Sequence, residues 1–493
     1  MLHNIIHLLA YDPASPLLFN QGLFMFLFLF FIVVYYQLEY KSTARMAFVV
    51  LFSYYFYYKS SGTYFWLLAL VTCSDYLLGR GIHACRTAAR TRLARWLLTL
   101  SLCTDLGLLC YFKYTNFFGS MLARLVGTDF HPLDIFLPIG ISFFTFQSLS
   151  YTIDIYRGRM KPLTSLLDYA FYVSFFPQLV AGPIVRATDF IPQIHRPVRI
   201  TQQMFGQGVF LIVAGLFKKA VISDYISINL VDRVFDSPLL YSGFENLLGA
   251  YGYTLQIYCD FSGYSDMAIG LALLLGFHFP QNFNVPFLST SVSDFWRRWH
   301  ISLSTWIRDY VYIPLGGSRR GKLRTYVNLI ITMLLAGLWH GASLNFIVWG
   351  GLHGMAQAVH KWWRTDVMRH GKDYRPRGFR RVMACVVTFH FTVLTFIFFR
   401  NTELSDSIMM IRRIVTDFHL SSILPVIQGY HTVLYVVLMG YLIHFVPQTW
   451  QESIIQRLRL GNVWAGVIAI SVMIYIVVQV KSSEVLPFIY FQF

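Results

Sequence analysis

Charged side chains are scarce in this chain. Asp, Glu, Lys and Arg make up 13% of its 493 residues, whereas hydrophobic residues make up 56%. An ordinary soluble domain carries about a quarter charged residues, and soluble domains in a chain this long would be joined by polar linkers, which are also missing. A chain with so few polar groups cannot cover its own surface with them. We therefore predict a single integral membrane domain over residues 1–493.

Patterns typical of metal and nucleic-acid sites are missing as well. The six cysteines form no CxxC pair and no His-spaced ligand pattern, so we expect no metal site and predict buried thiols without disulfides. The net charge of +16 comes from short clusters between apolar runs rather than from one basic face. This distribution argues against a nucleic-acid partner.

Apolar runs are what the chain has in abundance. A spanning helix needs about 20 apolar residues. The candidate runs lie near residues 17–36, 46–58, 64–79, 96–112, 134–155, 207–230, 244–260, 262–278, 325–340, 345–360, 382–400, 424–447 and 463–480. We expect an all-α polytopic protein of about 11–13 membrane segments, with N-terminal spans in 17–112, a core in 134–400 and C-terminal spans in 424–480.

Two of the apolar segments have special features. The run at 17–36 is too long for a signal-peptide core, so we expect a retained first span with the N-terminus outside the cytoplasm. Residues 171–186 contain Pro177, Gly182 and Pro183. Because unpaired backbone is tolerated at membrane depth only where protein or water covers it, we predict a re-entrant or partly buried segment there.

Four short segments carry most of the basic charge: residues 80–95, 157–161, 318–324 and 361–381. Cytoplasmic loops accumulate Lys and Arg, so all four are expected on the cytoplasmic side. The last two must then share a side, and the chain between them has to enter the membrane and return. His340 lies between them, which predicts a hairpin bend near this residue, in the middle or outer half of the membrane.

The densest polar stretch is DFWRRWHISLSTWIRDYVYIPLGG at residues 294–317. Helical spacing would bring Asp294 close to Arg297 and Arg298 in an internally paired amphipathic element. Such an element could lie in the interface, with its arginines on lipid phosphate and its tryptophans among the headgroups. The arginines could equally clamp a phosphate-bearing donor, and the residues alone leave both readings open.

The strongest catalytic candidate is His340, within AGLWHGASLNFIVWGGLHG at residues 336–354. Glycines on either side allow close approach of another helix or a ligand, and imidazole suits proton transfer near neutral pH. Transfer of an acyl group to a hydroxyl needs such a base.

Other histidines also lie in or beside apolar runs, and we expect His353 to pack rather than react. Asp260 and Asp266, in another apolar run, are expected to be ion-paired.

Five motifs together resemble the membrane-bound O-acyltransferase family, and within it the bacterial branch that acetylates exopolysaccharides such as alginate. They are FFTFQSLSYTIDIYRG (143–158), FFPQLVAGPIVR (175–186), QIYCDFSGYSDMAIG (256–270), the 294–317 stretch and GLWHGASLNFIVWGGLHG (337–354). The resemblance implies a ring of tilted, broken helices around a central funnel. It also implies catalytic roles for His340 and His300, the positions that match the family's two functional residues.

The resemblance further implies a reaction and its participants. We expect a multi-pass protein of the bacterial inner membrane that transfers an acyl group to an extracytoplasmic polysaccharide. The expected acyl group is acetyl, and the expected donor is acetyl-CoA or another acyl thioester. No bound cofactor is expected. The expected partners are an extracytoplasmic acyltransferase- or esterase-like protein, membrane lipid and a cytoplasmic acyl donor or carrier. The predicted substrate-binding residues are Trp296, Arg297, Arg298, Trp299, Ser304, Arg308, Asp309, Trp339 and Asn345.

Three other functions fit parts of the sequence. D-alanyl transfer to a teichoic-acid-like polymer is the nearest competitor, because those enzymes share the RRWHISLS-type string; the ending YIPLGGSRRGK favours the polysaccharide-acetylating group. A transporter of an acyl or lipid-linked substrate would also need polar residues in a membrane cavity, but the chain shows no repeat symmetry. A non-catalytic scaffold would tolerate substitution of both His300 and His340.

Overall fold

The structure is a computed structural model that describes residues 8–13, 15–371 and 374–460, together with positions 467, 471, 475, 488 and 489. Every regular element in this part of the chain is helical. This confirms the predicted all-α class. The span predicted near residues 463–480 lies largely outside the described residues.

The chain packs as two compact units, of which the first comprises Met1–Gly208 and Met267–Pro280. Its helices are α1 (Gly22–Gln37), α2 (Ser42–Ser61), α3 (Phe65–Thr87), α4 (Thr91–Val126), α5 (Ile141–Arg157), α6 (Leu166–Ser174), α7 (Phe176–Leu179) and α8 (Ala187–Ile194), with a 3-10 turn at Gly62–Tyr64. Phenylalanine and tyrosine rings fill the interior, such as Phe31 and Phe176, whose centroids lie 5.4 Å apart.

The second unit comprises Val209–Asp266 and Gln281–Phe493. The chain passes from one unit to the other within α9 (Gln202–Leu216), within α12 (Gly243–Leu274) and between Pro280 and Gln281. The other helices are α10 (Asp224–Ile226), α11 (Asp232–Asp236), α13 (Val292–Phe295), α14 (Ile301–Ile307), α15 (Lys322–His340), α16 (Leu344–Trp362), α17 (Gly378–Arg400), α18 (Leu404–Thr416), α19 (Ile423–Gly429), α20 (His431–His444) and α21 (Gln448–Leu460). The described part of this unit also has short π-helical turns at Phe217–Ser223, Ser227–Val231, Arg308–Tyr312 and Trp363–Val367 and 3-10 turns at Pro238–Leu240, Pro286–Leu288 and Leu420–Ser422.

Three helical segments of the described chain are long and apolar enough to cross a membrane: Ser42–Thr87, Thr91–Val126 and Gly378–Arg400. A fourth is present if Leu420–Gly429 and His431–His444, which meet at 89°, form one broken span. Most of the other predicted runs form helices that are shorter or more polar. The predicted total of membrane segments and the ring with its funnel stay predictions.

The two apolar runs predicted at 244–260 and 262–278 are one continuous helix, α12, of 32 residues. Carboxylates at Asp260 and Asp266 interrupt the hydropathy of the sequence but not the helix, because each is neutralised. Lys219 Nζ lies 2.5 Å from Asp260 Oδ1, and Lys218 Nζ lies 2.6 Å from Asp266 Oδ2. The expected ion pairing of both carboxylates is confirmed.

The segment at 171–186 is broken, as its prolines and glycine predict. Helix α6 ends at Ser174, α7 contributes four residues, and the chain stays non-helical until α8. Side chains of the same segment satisfy freed backbone groups: Gln178 donates to the Tyr172 carbonyl at 2.5 Å, and Tyr172 donates to the Val185 carbonyl at 3.1 Å. Protein therefore covers the irregular backbone, as its burial requires.

The four basic segments meet in pairs at the ends of helices. In the first unit, Arg86 donates from Nη1 to the Ile155 carbonyl at 2.8 Å, which joins the ends of α3 and α5. In the second unit, Lys322 forms an ion pair with Asp366, which joins the start of α15 to the segment after α16. The hydrogen bond from Lys322 holds the pKa of Asp366 below its ordinary value. The predicted common side of segments 318–324 and 361–381 is confirmed.

The prediction of buried cysteines is wrong for half of them. Cys259 is buried and Cys85 and Cys385 are half-buried, whereas Cys73, Cys103 and Cys110 are exposed. These three lie on the outward faces of α3 and α4, both parts of membrane-spanning segments. Lipid can cover a thiol on such a face as well as protein can, so an apolar run does not reveal which of its residues point inward.

Candidate active site

Helices α15 and α16 form an antiparallel hairpin, and His340 is the last residue of α15 at its tip. The two helices touch through glycine. A β-carbon added to Gly337 would lie 2.1 Å from the Phe346 carbonyl oxygen, and one added to Gly350 would lie 2.3 Å from the Met333 carbonyl oxygen. Only glycine permits this approach. The predicted hairpin bend at His340 is confirmed, and these two glycines account for the close packing of its helices.

Aromatic rings enclose the His340 imidazole, which is 2% exposed. The ring centroids of Trp339, Trp349 and Phe399 lie 5.0, 5.1 and 5.0 Å from that of His340, all in edge-on arrangements. Phe346 packs 6.5 Å away and closes against Phe399 at 5.0 Å. The surroundings of His340 are therefore apolar and shielded from water, a setting that strengthens any electrostatic interaction made inside them.

His300 lies immediately before α14 with φ of +43°, a left-handed conformation that is uncommon for residues other than glycine. Its ring is fully buried, and its Nδ1 lies 3.2 Å from Asn282 Oδ1. The Asn282 amide nitrogen donates to Ser265, so its oxygen faces His300 and accepts. Nδ1 must therefore carry the proton, which leaves the lone pair on Nε2. Asn282 fixes both the orientation and the tautomer of this histidine.

The stretch at 294–317 is not one amphipathic helix, contrary to the sequence-based expectation. Helix α13 ends at Phe295, the chain turns, and α14 begins only at Ile301. The left-handed backbone of His300 separates the two, because it cannot continue a right-handed helix. The expected pairing within the stretch is nevertheless present in part, since Arg298 Nε lies 3.3 Å from Asp294 Oδ1.

Trp339 brings the two candidate histidines into one cluster. Its ring centroid lies 5.8 Å from that of His300 and 5.0 Å from that of His340. From His340 the contacts continue through Trp349 to His353, whose rings lie 4.8 Å apart. The histidines that are distant in sequence thus share one aromatic chamber, which we define by His300, Trp339, His340, Trp349 and Phe399.

Comparison with known proteins decides the family. The model of the membrane-bound O-acyltransferase family matches residues 55–398, more than half of the chain and including both candidate histidines. The chain belongs to the membrane-bound O-acyltransferase family. It is therefore a membrane protein and an acyltransferase, as the sequence motifs predicted.

Relatives of this acyltransferase carry related names. It is 42% identical over 394 residues to a probable alginate O-acetylase of Pseudomonas aeruginosa, covering 79% of this chain and 73% of that protein. It is 36% identical over 447 residues to a peptidoglycan O-acetyltransferase of Helicobacter pylori, covering 84% and 82%. A teichoic acid D-alanyltransferase of Bacillus subtilis is 29% identical over 277 residues, covering 53% and 68%.

Trp296 and Trp299, two of the residues predicted to bind substrate, pack beside the chamber. Trp296 donates from Nε1 to His353 Nδ1 at 3.2 Å, and His353 Nε2 lies 3.1 Å from Thr395 Oγ1. Both nitrogens of His353 are thereby engaged, as expected of a histidine that packs, and its lack of a catalytic role stays a prediction. Trp299 is 1% exposed and stacks on Phe295 at 5.4 Å.

The charged residues predicted to bind substrate lie outside the chamber. Arg297 and Arg298 line a separate basic cleft on the acyltransferase. Arg308 forms a two-point ion pair with Asp309, with Nε–Oδ1 and Nη2–Oδ2 distances of 2.7 and 3.1 Å, and is largely exposed. The structure therefore separates these predicted residues into a buried aromatic group and a less buried charged group.

Two predicted polar residues are held by hydrogen bonds within the protein. Ser304 donates to the Trp299 carbonyl at 3.2 Å. Asn345, at the start of α16, donates to the Asn401 carbonyl at 2.7 Å and accepts from Ser407 at 3.3 Å. Asn345 thereby ties the tip of the hairpin to the end of α17 and to α18.

Sequence reasoning missed Asn282, the residue that orients His300. It lies in an irregular segment between two prolines, where neither periodicity nor motif indicates a contact. It also missed Phe399, which closes the chamber from α17, and Phe261, whose ring meets that of His300 edge-on at 4.6 Å. Phenylalanine is so frequent in this chain, at 45 residues, that the sequence offers no signal to distinguish these two.

Proposed function

We propose that the chain, acting as one integral membrane domain over its whole length, transfers an acetyl group for O-acetylation of an extracytoplasmic polysaccharide, with His340 as the general base. The observation that carries the proposal is the burial of His340 among aromatic rings at the tip of a helical hairpin, in contact through Trp339 with a second buried histidine, His300. The names of the alginate and peptidoglycan O-acetyltransferases support the acetyl group and the polymer.

The chemistry follows from the weakness of an alcohol as a nucleophile. As the hydroxyl oxygen attacks the thioester carbonyl, the imidazole of His340 takes the hydroxyl proton. The C–S bond then breaks, the acyl group remains on the oxygen as an ester, and the proton passes to the departing thiolate. The apolar chamber excludes water, which would otherwise compete as the acceptor.

The second histidine has a positioning role in this proposal. Asn282 holds His300 with its lone pair on Nε2, so His300 can accept a hydrogen bond from an incoming hydroxyl or amide. The buried tryptophans Trp296, Trp299 and Trp339 would then shape the path of the acyl group. Asn345 and Ser304 would hold the chamber walls in place through their hydrogen bonds. The Arg308–Asp309 pair would bind substrate outside the chamber.

The donor and the partner follow from the same expectation. We propose acetyl-CoA or another acyl thioester as the donor, approaching from the cytoplasmic side of a bacterial inner membrane, whether free or on a carrier. An extracytoplasmic acyltransferase- or esterase-like protein would complete transfer to the polymer. The basic segments at the ends of α15 and α16 support a cytoplasmic location for that end of the hairpin, which leaves His340 toward the opposite face.

The test compares surface polymers from cells with and without this protein. Esters are released from purified polymer with mild base, and acetate and D-alanine are quantified in the same samples. The proposal predicts loss of acetate without loss of D-alanine when the protein is absent. Loss of D-alanine alone would identify teichoic-acid-type alanylation instead, and unchanged amounts of both would contradict ester transfer to a surface polymer.

A further inference from the structure

A basic cleft of about 690 Å³ lies in the second unit, separate from the aromatic chamber. None of the residues that define the chamber lines it. Among the described residues that line it, eight are arginine or lysine and only one, Asp294, is acidic. Like charges gathered at this density repel one another, so the folded state is disfavoured there unless an anion compensates them.

Among the described residues, the acidic groups near the cleft do not provide that compensation. Asp294 is already engaged by Arg298 at 3.3 Å and accepts from the Thr290 backbone at 3.1 Å. Asp366, close by in sequence, is bound by Lys322. The buried Nε of Arg364 has no hydrogen-bond partner within the described part of the chain. A guanidinium nitrogen that is shielded from water and unbonded is costly, so a ligand that supplied an acceptor there would be stabilised.

The cleft lies at the end of a membrane-spanning helix. Helix α17 is long and apolar enough to cross a membrane, and Arg377, Arg380 and Arg381, at its start, line the cleft. Trp363, which also lines the cleft, is half exposed, and Phe379 beside the arginines is 78% exposed. Tryptophan and arginine in this arrangement mark the headgroup level of a bilayer.

The cleft is also far from the proposed reaction centre. Leu329 lines it, and Leu329 lies eleven residues before His340 on the continuous helix α15. At 1.5 Å per residue this separation is about 16 Å along the helix axis. A ligand confined to the cleft therefore does not contact His340.

We propose that this cleft is a phosphate-binding site and that its occupant is the headgroup of an anionic phospholipid. Arginine forks grip phosphate oxygens two at a time. A nucleotide-bearing thioester presents the same phosphate chemistry, but the position at the start of a spanning helix, flanked by exposed aromatic side chains, fits a lipid whose chains stay in the bilayer. The site does not depend on acyl transfer at His340.

The experiment uses the purified full-length chain in detergent micelles that contain only phosphatidylcholine. Cardiolipin, phosphatidylglycerol, coenzyme A and adenosine 3′,5′-bisphosphate are added separately, and binding is followed by native mass spectrometry and by the thermal midpoint. We expect cardiolipin and phosphatidylglycerol to bind and to raise the midpoint, less so at high salt. The variant Arg377→Gln/Arg380→Gln/Arg381→Gln should weaken lipid binding by about two orders of magnitude, since each such charge contributes about fivefold.

A matched control removes three exposed arginines from another basic segment, as Arg90→Gln/Arg92→Gln/Arg95→Gln. It should bind lipid as the unchanged protein does, which would exclude a general effect of net charge. Arg364→Gln removes a half-buried arginine of the same cleft and should also weaken lipid binding. The lipid assignment is overturned if coenzyme A or the bisphosphate displaces lipid. It is also overturned if either compound binds, loses affinity in the Arg377/Arg380/Arg381 variant and keeps it in the Arg90/Arg92/Arg95 control. Equal binding by all variants, or binding of neither kind of ligand, would overturn the site itself.

Discussion

The indole ring of Trp339 lies 5.8 Å from the imidazole ring of His300, with an interplanar angle of 60°. Trp339 directly precedes His340 in sequence, and its rigid indole ring contacts the imidazole rings of both histidines. The indole ring therefore sets the distance between His300 and His340. A flexible side chain at this position would let the two histidines move independently. The chamber is therefore organised around Trp339 as much as around the histidines.

Trp339→Ala should leave a cavity between the two histidines and reduce acyl transfer more than protein yield. Large-to-small substitutions of this kind cost about 3–5 kcal/mol of stability, so a milder variant, Trp339→Phe, is needed for comparison. We expect Trp339→Phe to fold and to retain a measurable fraction of the transfer rate. Transfer per folded molecule, measured after size-exclusion chromatography, checks this. Wild-type transfer by folded Trp339→Ala would show that the ring does not organise the site.

Gly350→Ala should open the α15–α16 hairpin, because the new methyl group would lie 2.3 Å from the Met333 carbonyl oxygen. Overpacking of this kind costs about 1–3 kcal/mol. The neighbouring Gly351→Ala is the control, since its nearest new contact would be 3.6 Å from a Leu334 methyl carbon. The thermal midpoint should fall for the first variant and stay level or rise for the second. Equal effects of the two substitutions would contradict the close approach of the helices.

His353→Ala should destabilise the protein without removing its chemistry. The substitution leaves the buried Trp296 Nε1–H without its acceptor, at a cost of about 1–3 kcal/mol. We expect a lower thermal midpoint together with nearly unchanged transfer per folded molecule. A folded His353→Ala protein without activity would instead assign His353 to the reaction and would make the packing interpretation wrong.

Asp260→Asn should be among the most destabilising substitutions of a charged residue. Asp260 is almost fully buried, pairs with Lys219, and accepts from the Ile489 backbone at 2.8 Å. Removing one partner of a buried ion pair costs about 3–5 kcal/mol, although Asp224, 2.9 Å from Lys219, offsets part of it.

Asp266→Asn is the matched control for Asp260→Asn. Asp266 and Lys218 are each 20% exposed, so protein encloses this pair less fully than it encloses Asp260 and Lys219. Its loss should therefore cost less than the loss of the Asp260–Lys219 pair. The denaturation curves of the two variants are recorded in the same detergent. Equal shifts of the denaturation midpoint would contradict the distinction between the buried pair of Asp260 and the more exposed pair of Asp266.

The hairpin at His340 could be predicted because its signal is local. Two basic segments bound an apolar stretch that is interrupted by a histidine between glycines, and the charge pattern requires the chain to return. Ion pairing of Asp260 and Asp266 was predictable on general energetic grounds, since a carboxylate in an apolar helix needs a partner. The sequence did not reveal that the partners would be two adjacent lysines, Lys218 and Lys219.

The arrangement around His300 could not be predicted because it is not local. The break in the 294–317 stretch depends on one left-handed residue that the surrounding structure holds, through Asn282, in an otherwise unfavourable backbone conformation. Nothing in the helical periodicity of the stretch indicates it. The basic cleft escaped prediction for the same reason. Arg297 follows α13, Arg364 follows α16 and Arg381 lies in α17, and only packing brings these residues together.

The most direct test of the central claim replaces His340 by glutamine, which keeps a buried polar side chain of similar size but cannot act as a base. His390→Gln, on an exposed face of α17, is the control. Acetyl ester per folded molecule is measured in cells that lack the native protein. Because a general base contributes about 10²–10⁴-fold, we expect transfer by His340→Gln to fall at least about a hundredfold while His390→Gln stays at the wild-type level. Wild-type acetylation by folded His340→Gln protein would contradict the assignment of His340 as the catalytic base.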